Sequence, residues 1–219
     1  MQKKEIVLTL GLLAEKRACK QGLYDFEKWY PSGSAPLTEV IRKIQELANT
    51  SADYLKYVYY ANWLLYRFPS TQEPLVLNEL TEKVIIHNGD IDIKSSIDGN
   101  HIIIGNGDLN IAGGANLSGA AEIWAKNVIA KDKTIALDDF AKILARKTID
   151  AQNIAAKDHA GIWAVTIDTI NIAAKDYAAI WAHEINTQNI MYDDSARIHG
   201  YINLIQPSSN PQNVTQPAN

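Results

Sequence analysis

The stretch TIDAQNIAAKDHAGIWAV (148–165) is followed at once by TIDTINIAAKDYAAIWAH (166–183), with thirteen of eighteen paired positions identical. A third copy, EINTQNIMYDDSARIHGY (184–201), has diverged but keeps the register. Ile149, Ile167 and Ile185 align, as do Asn153, Asn171 and Asn189, Ile154, Ile172 and Ile190, and Ile162, Ile180 and Ile198. Upstream, NGDIDI (88–93) returns as NGDLNI (106–111), again eighteen residues on. AEIWA (121–125) and AKILA (141–145) match AGIWA (160–164) and AAIWA (178–182) at similar spacing, while 126–134 fall out of step and predict a loop or bulge.

A unit this short, with apolar residues alternating in runs of two or three, cannot bury its own apolar edge, so copies must stack. The chain is therefore expected to be α+β: a three-helix head and linker over 1–80, then a single-chain parallel β-solenoid over 81–205. About six coils of 18–20 residues, each ~4.8 Å above the last, would make a rod about 30 Å long. A right-handed sense is the usual one for parallel crossovers. Alternation along one coil turns Ile149, Ala151, Ile154, Ala156, Ala160, Ile162 and Ala164 inward. Corners fall at Gln152-Asn153 and at Lys157–His159. The result is a triangular coil with an Ile/Ala interior too narrow for a cofactor, and none is expected.

The same parity turns Trp163 and Trp181 outward. Trp124 and Leu144 take the matching places in earlier coils, and His199 ends the column. Large exposed apolar patches mark contacts, and indoles contribute much of the energy at interfaces. Trp124, Leu144, Trp163 and Trp181 are thus candidate partner-binding residues, with intramolecular cover by the head, self-association and a foreign partner or sugar all open. Asp150, Asp168 and Asn186 form a second column. Asp139, Asp158, Asp176 and Asp194 form a third, beside Lys157 and Lys175. Two carboxylates one coil apart lie near the ~5 Å separation of a retaining glycosidase. These acids are spread evenly, however, as solvated corner residues are, and no catalytic residue is assigned. Asn153, Asn171 and Asn189 predict a hydrogen-bonded ladder.

At the front, Leu12, Leu13, Cys19, Leu23, Phe26 and Tyr30 keep helical spacing until Pro31, and PSGSAP (31–36) is a turn. Leu37, Val40, Ile41, Ile44 and Leu47 repeat the spacing. Ser51 is the expected N-cap of a third helix ending near Arg67. That helix is dense in rings, and Tyr57, Tyr60 and Trp63 join the partner-binding candidates, with packing of the head as the plainer role. ACKQGLYDFEKWYP (18–31) and ADYLKYVYYANWLLYRF (52–68) resemble a small helical module at the front of assorted bacterial and phage proteins. The repeat region resembles short-coil β-helices of the bactofilin-like or pentapeptide-like type. The first resemblance implies a bacterial or phage origin without an activity. The second implies a structural or interaction role, although a helical head departs from the bactofilin pattern.

Charge separates the two parts, with a net +1 over 1–80 and −5 over 81–219. The mild acidity of the rod argues against nonspecific nucleic-acid binding through a basic face. Cys19 is the single cysteine, so no intramolecular disulfide is possible, which suits a reducing compartment. It reads as a small buried hydrophobe. Lys3-Lys4 and IVLTLGLLA resemble a signal peptide, but Glu15, Lys16 and Arg17 stand where small cleavage-site residues belong. The expected location is cytoplasmic, and no run reaches the ~20 apolar residues of a membrane span. The five histidines share no metal-like spacing, and no metal is expected. QPSSNPQNVTQPAN (206–219) reads as a disordered tail. Together these features predict a non-enzymatic interaction or scaffold protein with a protein partner and a homodimeric state. An inhibitor of a host or defence protein fits this class. A carbohydrate-binding or polysaccharide-cleaving β-helix is the alternative.

Overall fold

A computed structural model of the chain describes residues 5–70 and 72–206. Lys3-Lys4 and the tail from Pro207 onward, with the expectations attached to them, lie outside the described residues.

Among the described residues the head has four helices rather than three: α1 (Leu10–Glu15), α2 (Lys20–Trp29), α3 (Leu37–Thr50) and α4 (Tyr54–Arg67). The expected first helix divides because Arg17 adopts a left-handed φ of 63°, and Arg17 and Ala18 N–H return to Ala14 O and Leu13 O. This closes α1 as a glycine normally would. Cys19 then caps α2, its Sγ accepting from Gly22 N at 3.3 Å. The thiol is therefore exposed, contrary to the buried position expected of it. Ser51 does not cap α4 either. Its Oγ accepts from Asp53 N, and the helix begins at Tyr54.

The head's core comes from the predicted helical stripes. Val40, Ile41 and Ile44 of α3 meet Val58, Ala61, Leu64 and Leu65 of α4, with Phe26 of α2 against them. One charged group is buried among these helices. Asp25 accepts from Tyr60 Oη (2.9 Å) and Gln21 Nε2 (3.0 Å), and Lys56 Nζ stands 3.2 Å away. Burial pushes its pKa up, but these three donors outweigh it and hold the carboxyl below its ordinary value.

From Leu75 onward every strand pairs in parallel with the strand one coil away, through about seven turns. Each coil has three sides. One carries the column Ile91, Leu109, Val128, Ile149, Ile167, Ile185 and Ile202. The second carries Ala115, Ile135, Ile154, Ile172 and Ile190. The third carries Ile85, Ile103, Ile123, Ile143, Ile162, Ile180 and Ile198. Isoleucine over isoleucine fills the interior with apolar side chains, nearly all of them inaccessible. The predicted irregularity is a register shift between Ala130 and Thr134.

The asparagine ladder forms as expected. Asn171 Nδ2 donates to Asn153 Oδ1 at 2.6 Å, and Asn189 Nδ2 donates to Asn171 Oδ1 at 2.8 Å. Behind it, Thr169 and Thr187 turn inward and donate to the backbone carbonyls of Gln152 and Ile170. Among the described residues no helix is long and apolar enough to cross a membrane.

Candidate interaction face

The third side of the solenoid carries the tryptophans on its outer surface. One outward column runs Ile86, Ile104, Trp124, Leu144, Trp163, Trp181 and His199, each rung hydrogen-bonded to the next coil. Beside it runs Val84, Ile102, Glu122, Lys142, Gly161, Ala179 and Arg197. The first rungs are apolar in both columns because the head sits on them. Val84, Ile86, Ile102 and Ile104 are buried in the head's core, and Trp124 packs against it. The head thus docks on the flank of the rod as well as at its end.

The cover stops at Leu144. Asn62, Leu65 and Tyr66 of α4 line a crevice of about 180 Å³ with Trp124, Leu144 and Arg146. Arg146 fastens the crevice's edge, its Nη2 donating to Asn106 O at 2.7 Å. Within this region Trp124 Nε1 is buried without an acceptor. Beyond it, Trp163 is 36% and Trp181 41% exposed. The column named from sequence therefore has two parts, a covered Trp124 and an open Trp163–Trp181 pair with Leu144 between.

Local sequence lays these rings flat. A Cβ on Gly161 would stand 2.2 Å from Trp163 Cη2, so the indole lies directly across the glycine. At the next rung Ala179 leaves no such bed, and Trp181 stacks instead on His199, centroids 4.0 Å apart and planes 22° apart.

A second set of rings stands at the preceding corner. Phe140 and His159 stack at 5.2 Å, and His159 and Tyr177 at 5.3 Å. Comparing residue identity conceals this ladder, since His159 faces Tyr177 and neither repeats. The readable signal is a flat ring one residue after the corner aspartate in three successive coils.

The acidic column belongs to the same corner. Asp139, Asp158 and Asp176 take φ of 55°, 57° and 57°, and Gly119 stands at the equivalent place with 65°. Asp138, Asp139 and Asp158 bring carboxylate oxygens within 4.8 Å of one another. Asp139 accepts from Gly119 N at 3.0 Å, and Lys157 Nζ lies 2.6 Å from Asp138. A hydrogen bond shared with Asp158, then Lys157, holds the Asp138 carboxyl down to about 2, while the Asp158 carboxyl is raised by the same shared bond. Asp150 and Asp168 stand in register, and Asp168 accepts from Asn186 at 2.8 Å within an amide ladder.

In the head, Tyr57, Tyr60 and Trp63 are half-buried. Tyr57 and Tyr60 pack on Trp29, and Trp63 on Phe68. Tyr24, Tyr59 and Tyr66 stand further out. An apolar cavity of about 290 Å³ lies between the helices, walled by Leu13, Phe26, Trp29, Val40, Ile44 and Trp63.

No protein family, curated protein or solved structure matches the chain.

Proposed function

We propose that the chain is a non-enzymatic interaction protein that holds a partner protein against the open part of its tryptophan column. The observation that carries this reading is that one column has two fates. Its first rungs take the chain's own amphipathic helices α3 and α4, and its later rungs, Trp163 and Trp181, present the same chemistry uncovered. A partner offering an apolar helical face beside α4 would continue the packing already present. The rigid rod reduces the ordering cost of such a contact. Tyr57, Tyr60 and Trp63 support the site by holding α4 in place.

Within this reading the chain acts in the cytoplasm of a bacterial cell, and is bacterial or phage-encoded. Inhibition of a host or defence protein is the form of interaction it would take. What supports this is the resemblance of the head module and the single cysteine, Cys19.

The test is capture from a bacterial lysate with wild type and with Trp163→Ser/Trp181→Ser. Loss of a specific captured protein in the double variant, with unfolding midpoint retained, is the expected result. Equal capture by both removes the column as the binding face. A carbohydrate reading is favoured by one observation, the stacked Phe140–His159–Tyr177 ladder, because flat rings pack on sugar faces. Glycan binding that Phe140→Ser/Tyr177→Ser abolishes, while the tryptophan variant keeps it, would select that alternative.

A further inference from the structure

The two ends of the solenoid are finished differently. At the start, the outer edge of Val84–His87 is bonded to two side-chain amides of α3. Asn49 donates to Val84 O (2.8 Å) and accepts from Val84 N (2.9 Å), and Gln45 accepts from Ile86 N (2.8 Å). These amides stand where a preceding strand would be.

At the other end, Arg197–Leu204 is bonded on one side to Ala179–Thr187 and pairs with no further strand among the described residues. Ile202 and Leu204 occupy the interior columns of Ile185 and Thr187, which are fully buried, yet they are 41% and 62% exposed. Ile205 N donates back to Thr187 O at 2.8 Å, so alternation turns the N–H groups of Ile202 and Leu204 to the open side. An apolar cross-section bordered by an unpaired strand is a template for pairing.

What fits it follows from the rest of the chain. Head-to-tail stacking would set Arg197–His199 on Val84–His87, whose edge is already taken by Asn49 and Gln45, leaving only the three-residue strand Leu75–Leu77 to meet Ile202 and Leu204. Residues 207–219 bring three prolines, which cannot donate to a ladder, and Val214 as their one large aliphatic side chain. The same open edge on a second copy is self-complementary, and a twofold axis runs the two strands antiparallel in a closed pair. We infer that two copies join end to end through Arg197–Leu204, burying Ile202 and Leu204 of both. This gives a homodimer its geometry and leaves the tryptophan column free, so it stands or falls apart from the proposed partner face.

The test is solution mass by light scattering, with the 24.3 kDa chain as reference. Twice that mass is expected for the full chain, for a chain ending at Gln206, and for Trp163→Ser/Trp181→Ser. Ile202→Asp/Leu204→Asp is expected to run as a single chain with its far-ultraviolet spectrum retained. Should that variant unfold, nitroxide labels on the exposed native Cys19 decide. End-to-end pairing puts the two heads at opposite ends of the joined rods, and counting only the coils beyond each head at ~4.8 Å, the labels should stand about 40 Å apart or more. A monomeric full chain, dimer loss on removing 207–219 or the tryptophans, a dimeric aspartate variant, or a short head-to-head distance each overturns the inference.

Discussion

A column of like residues on a solenoid has two explanations, chemistry shared with a ligand or a shared demand of the backbone, and the corner aspartates answer to the second. Asp139, Asp158 and Asp176 all occupy the left-handed region, where Gly119 serves one coil earlier. Asp and Asn are the side chains that visit that region most readily after glycine. Conformation therefore accounts for the acids at this corner, Asp139, Asp158 and Asp176, without a ligand; Asp194, the fourth of the column, and the Asp150–Asp168 column lie outside that region. Asp176 makes no side-chain hydrogen bond and isolates the effect. Asp176→Gly should leave the urea midpoint unchanged or raised, whereas Asp176→Val should lose about 1–2 kcal/mol. Equal losses would return the column to an explanation based on charge. The interior isoleucines and the asparagine ladder were readable because each is set by its place within one coil. Cys19 was misread for the complementary reason: its exposure depends on α1 ending at Arg17, and that break carries no glycine to announce it.

Among the elements, α3 has the largest task. Its apolar stripe was plain in sequence, and its packing on α4 follows from that stripe. Gln45 and Asn49, four residues apart on the same helix, lie outside that stripe, and nothing in the local pattern distinguishes them. Their role exists only once α3 lies along Val84–His87, a contact between segments some forty residues apart. Replacing either amide leaves edge groups of a partly buried strand without partners, which costs about 1–3 kcal/mol for each group. Asn49→Ala should therefore destabilise the chain by about 2 kcal/mol in urea unfolding. It should also give concentration-dependent association at the head end, seen as species larger than the wild-type assembly. A variant as stable as wild type, with unchanged mass, would mean that the α3 amides do not guard that edge.

Across the whole molecule, the helical head converts an indefinitely stackable fold into one with a defined beginning and a divided surface. The tryptophan column was legible as a column. Where its cover ends was not, because that depends on how far α4 reaches along the flank. Since each coil contacts only its neighbours, stability should add coil by coil, and length should be adjustable without touching either end. Inserting a further copy of residues 148–165 after Val165 should give a folded chain whose unfolding midpoint is no lower than wild type. Its face would gain one Trp rung, and capture of the tryptophan-dependent partner should hold or increase. A nine-residue half-coil at the same place has a different consequence. It puts a corner where a side belongs, brings Lys and Asp over the Ile columns, and should abolish cooperative unfolding. Equal tolerance of both insertions would mean that stacking in register does not hold the rod together. Failure of the full coil alone would mean that stability depends on a specific junction rather than on the repeat.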